Sequence, residues 1–73
     1  MVIVNKIHNR IHISFDTIIA NAHIKIYDFI SHKKLRDIKV FDTNHEIIEI
    51  SKEYQRLKII IKSEAYKYVK IVS

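Results

Sequence analysis

The 73-residue chain contains no cysteine, no glycine, no proline and no tryptophan. Each absence removes a class of structure or chemistry. Without cysteine there is no disulfide to hold a small fold and no thiolate nucleophile, and thiols give no sign of the redox compartment. Without glycine, phosphate-cradling loops and nucleophile elbows, which depend on close backbone approach, are excluded. A left-handed turn position must then be filled by another residue, and Asn21 is a candidate. Long apolar runs are missing too. Ile59-Ile60-Ile61 is the longest aliphatic run of the second half, against the ~20 residues of a membrane-spanning helix. Met1 to Val4 is apolar but is followed at once by Asn5-Lys6, too short for a signal-peptide core, so neither a membrane span nor a secretory signal is expected.

What is present favours strands. Apolar residues make up 48% of the chain, and isoleucine leads them. Its β-branched side chain is stiff and packs well on a pleated surface. The length allows one domain, residues 1–73, near the lower limit for a single unassisted core. The net charge is +5 and the pI is about 9.6. Lys25, Lys39, Lys58, Lys62 and Lys70 each fall at an outward position of a predicted strand, one at a time. That spread reads first as solubility and edge protection, and second as a surface for phosphates.

Alternation of apolar and polar residues sets the fold class, because period 2 puts successive side chains on opposite faces. Arg10 to Asp16 alternates without a fault, with Ile11, Ile13 and Phe15 inward. Thr17 to Asn21 interrupts the period and predicts a turn. A strand from Ala22 to Phe29 follows, with Ala22, Ile24 and Ile26 inward; Ser31 to Lys34 is a polar turn, and Leu35 to Phe41 is a third strand with Ile38 and Val40 inward. Asp42-Thr43-Asn44 signals another turn. Residues 44–57 fit two descriptions. Thr43 and Glu46 have capping-box spacing ahead of a helical face, but the alternation of Ile48 and Ile50 favours strands near His45 to Ser51 and Arg56 to Lys62. The last strand, Tyr66 to Val72, places Val69 and Ile71 inward after a bulge. Short strands at this spacing predict an all-β, antiparallel sandwich or small barrel.

The residues that could carry chemistry are dispersed. His8 and His12 lie four apart on a strand region, about 13 Å at ~3.3 Å per residue, beyond the reach of one metal ion. The eight carboxylates show no catalytic pairing, so no enzyme activity, metal or cofactor is expected. Tyr27, Phe29, Phe41, Ile47, Ile60 and Tyr68 fall outside the inward phase; they mark either a partner surface, a homodimer's among them, or strands covered on both faces within the sandwich or by a neighbouring domain. Base stacking on Tyr27, Tyr66 or Tyr68 beside the lysines is the nucleic-acid version of that surface.

Ala22-His23-Ile24-Lys25-Ile26-Tyr27-Asp28, the turn with Lys33-Lys34-Leu35, Ile48-Glu49-Ile50-Ser51, Leu57 to Ile61 and Lys67 to Val72 together resemble the C-terminal sorting domain of cargo secreted by the bacterial type IX system. The chain departs from that family's pattern: the Pro-Asn-Pro opening is missing, Ser31-His32-Lys33 stands at the Gly-Lys turn, and no glycine precedes the sixth strand near Gln55 and Arg56. The resemblance implies an immunoglobulin-like sandwich of six to seven strands and a non-catalytic sorting or cell-surface attachment module. Its partner would be a secretion translocon or a sortase, and its location secreted or at the cell surface; otherwise a cytoplasmic location is expected. Partner contacts would then fall on Lys67, Lys70, Ile71, Val72 and Tyr27, with Asp28 as a fold determinant.

Overall fold

A computed structural model describes residues 1–73. It contains five strands and no helix: β1 (Val2–Ile7), β2 (Arg10–Asp28), β3 (Lys34–Glu49), β4 (Leu57–Lys62) and β5 (Lys67–Val72). All pairings are antiparallel and all strands belong to one sheet. The resemblance implied two facing sheets and six to seven strands; the count here is lower because two of the expected turns are bends inside strands.

β2 is the organiser. β3 pairs along nearly its whole length on one side, while the other side is shared, with β1 on the first half and β4 on the second. Residues 17–21, expected as a turn, remain part of β2. Between the pairs Ser14↔His45 and Ile19↔Thr43, β2 spends five residues where β3 spends two. The surplus bulges out, and a bulge of this kind bends and twists the ribbon. Asp42-Thr43-Asn44, expected as a second turn, is the β3 side of the same bend. Thr43 Oγ1 donates to the Glu46 carboxylate at 2.7 Å, a side-chain pair within a bent strand and not the reciprocal backbone bonds of a capping box. The helical alternative for 44–57 is replaced by the end of β3 and a loop.

The bend curls the sheet into a half-barrel with its core on the concave side. The Arg36 guanidinium donates to the Glu49 carbonyl of the same strand, although thirteen residues of straight strand span about 43 Å. Fourteen buried apolar residues fill the interior, among them Ile11, Ile13, Ile24, Ile26, Leu57, Ile59 and Ile61 with essentially no exposed surface. These are the inward positions expected from alternation. No buried side-chain polar atom is left without a partner.

Three residues take the left-handed backbone region that glycine would normally occupy: His8 at φ 55°, His32 at 64° and Asp42 at 49°. His and Asp are among the few residue types that tolerate it. Asn21 does not; it is paired with Phe41 inside the ladder. His8-Asn9 closes the β1–β2 hairpin, and the Asn9 amide donates to the Ile50 carbonyl at 2.9 Å. At the β2–β3 turn, Asp28 accepts from the Ser31 hydroxyl at 2.7 Å and from two backbone N–H groups. These donors hold the Asp28 carboxyl below its usual range, the Ser31 hydroxyl foremost.

β5 runs in the opposite phase to the expected one. Its ladder with β4 has no irregularity, so Tyr68 and Val72 stand beside Ile61 and Leu57 on the core side. Val69 and Ile71 therefore face outward, 48% and 41% exposed. The bulge expected near Tyr66 is absent from this ladder, and without it the phase is fixed by the core partners on β4.

Candidate functional site

Residues directly opposite each other in an antiparallel pair project from the same face. On the second half of β2 the odd positions face away from the core, because Ala22, Ile24 and Ile26 are buried. The ladders extend that outer face across four strands in rows. One row is Lys39, His23, Lys62 and Lys67; the next is Asp37, Lys25, Ile60 and Val69; a third is Lys34, Tyr27, Lys58 and Ile71. Lys34 joins the third row because the register shifts between Ile26 and Tyr27. Phe41, opposite Asn21, begins a fourth row.

These three rows hold six lysines and one carboxylate, Asp37, a sum of +5 that equals the chain's net charge; Asp28 and Glu64 border the hollows at the margins of the face. The outer face of the β1 half shows the contrast: Ile3, Ile7 and Ile47 stand exposed there beside His12, His45 and the pair Arg10–Glu49 at 3.5 Å. On the basic face Lys62 stands directly opposite Lys67, and His23 stands between Lys39 and Lys62. Like charges directly opposite each other destabilise a sheet. Only Asp37 relieves the crowding. It accepts from Lys34 Nζ at 2.9 Å and contacts His23 Nε2, and these bonds, Lys34's first, draw its pKa down to about 2. The same partnership raises the pKa of Lys34.

Shallow hollows interrupt the face. One of about 180 Å³ is lined by His23, Lys25, Tyr27, Ile60, Lys62 and Lys67. A second, about 240 Å³, lies on the other side of Tyr27 and Ile60, toward Lys58, Phe29, His32 and Asp28. A third, about 410 Å³, is bordered by Phe41, Lys39, His23 and Lys62, with Glu64 at its rim. Tyr27 and Ile60 thus form the ridge between two hollows, and Phe41 stands at the far end, 65% exposed.

The five residues expected as partner contacts divide between the two faces. Lys67, Tyr27 and Ile71 lie on the basic face. Val72 closes the core. Lys70 sits opposite Ile59, on the core side of the edge strand, with its ammonium left in solvent; the outward position expected for it is corrected by the phase of β5. The lysines expected singly on separate strands are indeed one or two to a strand, but the register gathers them. Lys34 and Lys67 belong to the cluster and were missed as members of it. Of the outward apolar set, Tyr27, Ile60 and Phe41 share the basic face, Ile47 lies on the other half, and Tyr68 packs against the core. Tyr66 also packs there, and burial raises its pKa. Folding brings His45 to His12, ring centroids 6.1 Å apart, but no three potential ligands gather in one place. No family model, no curated protein and no solved structure matches the chain.

Proposed function

We propose that the chain is a non-catalytic binding module that holds an anionic polymer, nucleic acid above all, on the outer face formed by β2–β5. One observation carries this reading. Six lysines from four strands share three adjacent rows with a single carboxylate, Asp37, so that these rows sum to +5, the net charge of the chain. Lys62 against Lys67 and His23 between two lysines repel one another within the sheet, and a bound polyanion relieves that repulsion. A phosphate backbone laid across the rows supplies the missing counter-charge and releases its own condensed ions. Titration of labelled oligonucleotides by anisotropy tests the reading. Binding is expected at low salt and should weaken steeply as salt rises; an absence of binding at low salt ends it.

A second reading, a type IX sorting or attachment module with an immunoglobulin-like sandwich, draws its support from β5. That strand ends the sheet order and presents Val69 and Ile71 beside Lys67. Its test is a reporter carrying the chain at its C-terminus in a cell with the type IX system. Export that depends on Lys67 to Val72 supports the module, and a reporter retained in the periplasm contradicts it.

A further inference from the structure

We infer that the ligand of the basic face is a single-stranded nucleic acid, with bases stacked on Phe41 and Tyr27 and its phosphates held by Lys39 and Lys25 between them and by Lys62 and Lys67 alongside. This rests on the polyanion reading above and narrows it to one substrate class. Three features of the face lead to it.

Shape is the first. The core fills the concave side of the curl, so the basic face is convex. A duplex is itself a stiff convex rod, with a persistence length of about 50 nm. Two convex bodies meet along a line and engage few of the rows. A flexible single strand drapes over the curve and reaches all of them.

The second is the availability of the two rings. Phe29 already carries the Arg56 guanidinium at 5.8 Å, and Tyr54 carries the Lys52 ammonium at 5.0 Å. Tyr66 and Tyr68 pack on the core and Phe15 lies within it. Tyr27 and Phe41 remain, both on the basic face, each bordering a hollow next to lysines. Phe41 is 65% exposed and immediately precedes Asp42, whose left-handed backbone marks the bend in β3. Bends and bulges re-aim side chains, and here the result is an aromatic ring offered to solvent beside the row that begins with Lys39. A base inside a duplex keeps both faces stacked on its neighbours. An unpaired base has faces free for such rings, and aromatic stacking accepts any base.

Spacing is the third. Phe41 stands opposite Asn21, six positions along β2 from Tyr27, or about 20 Å at ~3.3 Å per residue. The row Lys39, His23, Lys62 and Lys67 crosses the sheet within that interval. An extended segment of roughly four nucleotides, the lower end of site sizes for small β domains, suits it.

The test measures affinity of wild-type protein, Phe41→Ser and Tyr27→Ser for oligothymidine, oligouridine, a DNA duplex of the same length and heparin. Circular dichroism establishes that each variant is folded. The expected result is preference for the two single strands over duplex and heparin, with Phe41→Ser weakening single-strand binding about tenfold while leaving duplex and heparin binding unchanged. Equal affinity for all four polyanions, with Phe41→Ser indistinguishable from wild type, overturns the inference and leaves the basic-face reading intact. Failure of all four to bind at low salt overturns both. Tyr27→Ser adds a second, independent reading of the stacking claim, since its ring lies at the opposite end of the site.

Discussion

Single residues explain how a chain without glycine turns at all. His8, His32 and Asp42 take the left-handed positions, and Asp42 does so where the sheet bends. Asp42→Val should therefore destabilise the fold by about 1–2 kcal/mol, the strain of a β-branched residue in that region, whereas Asp42→Gly should stay close to wild type. Urea midpoints of the two variants check this. Burial sorts the apolar residues as sharply. Ile24→Ala, at a position with no exposed surface, should cost about 2–5 kcal/mol, a large share of the stability of so small a domain. Phe41→Ser should change stability by less than about 0.5 kcal/mol, because its ring contributes little to the core. A Phe41→Ser variant as unstable as Ile24→Ala contradicts the assignment of Phe41 to the outer face.

At the level of strands, alternation is informative where one face is buried and silent about how distant strands align. Ile11, Ile13 and Phe15, Ala22, Ile24 and Ile26, and Leu57, Ile59 and Ile61 were all legible as core because each set repeats every second residue. The bend was not, since Thr17 to Asn21 and Asp42 to Asn44 break the period just as a turn does. β5 misled for another reason: Val69 and Ile71 look inward in isolation, and only the ladder to Leu57 and Ile61 fixes the opposite phase. That phase makes Lys70 an inward-pointing charge on an edge strand, a device against edge-to-edge pairing. Lys70→Val should accordingly promote self-association, visible by sedimentation, while Lys33→Val, in a turn, should not. Asp37 gives a pH prediction on the same element. Its pKa is drawn from 3.8 to about 2 in the folded state, so its ion pairs contribute fully above the ordinary value and are lost as pH falls through that window. Asp37→Asn should flatten the decline of the urea midpoint between about pH 4 and pH 2. It should also tighten polyanion binding at neutral pH, because the only carboxylate within the lysine rows is gone.

For the molecule as a whole, the sequence displays the +5 charge but conceals its geography. Lys25, Lys39, Lys58 and Lys62 look scattered along the chain, and so do Lys34 and Lys67. They converge because four strands, remote in sequence, are laid in register by a core on their other side. The outer face is thus a by-product of the same alternation that builds the interior, which is why fold and site cannot be separated by mutation of the buried residues. They can be separated by charge. The most direct measurement compares the salt dependence of oligonucleotide binding for Lys39→Gln/Lys62→Gln/Lys67→Gln with that for Lys6→Gln/Lys33→Gln/Lys52→Gln, two triple variants of equal net charge. Each lost phosphate contact lowers the slope of log affinity against log salt by about 0.7 for a single strand. The account predicts that the face variant loses about 2 from the slope and most of its affinity while the control stays near wild type. Equal losses in the two variants would show that net charge alone, and not this face, attracts the ligand.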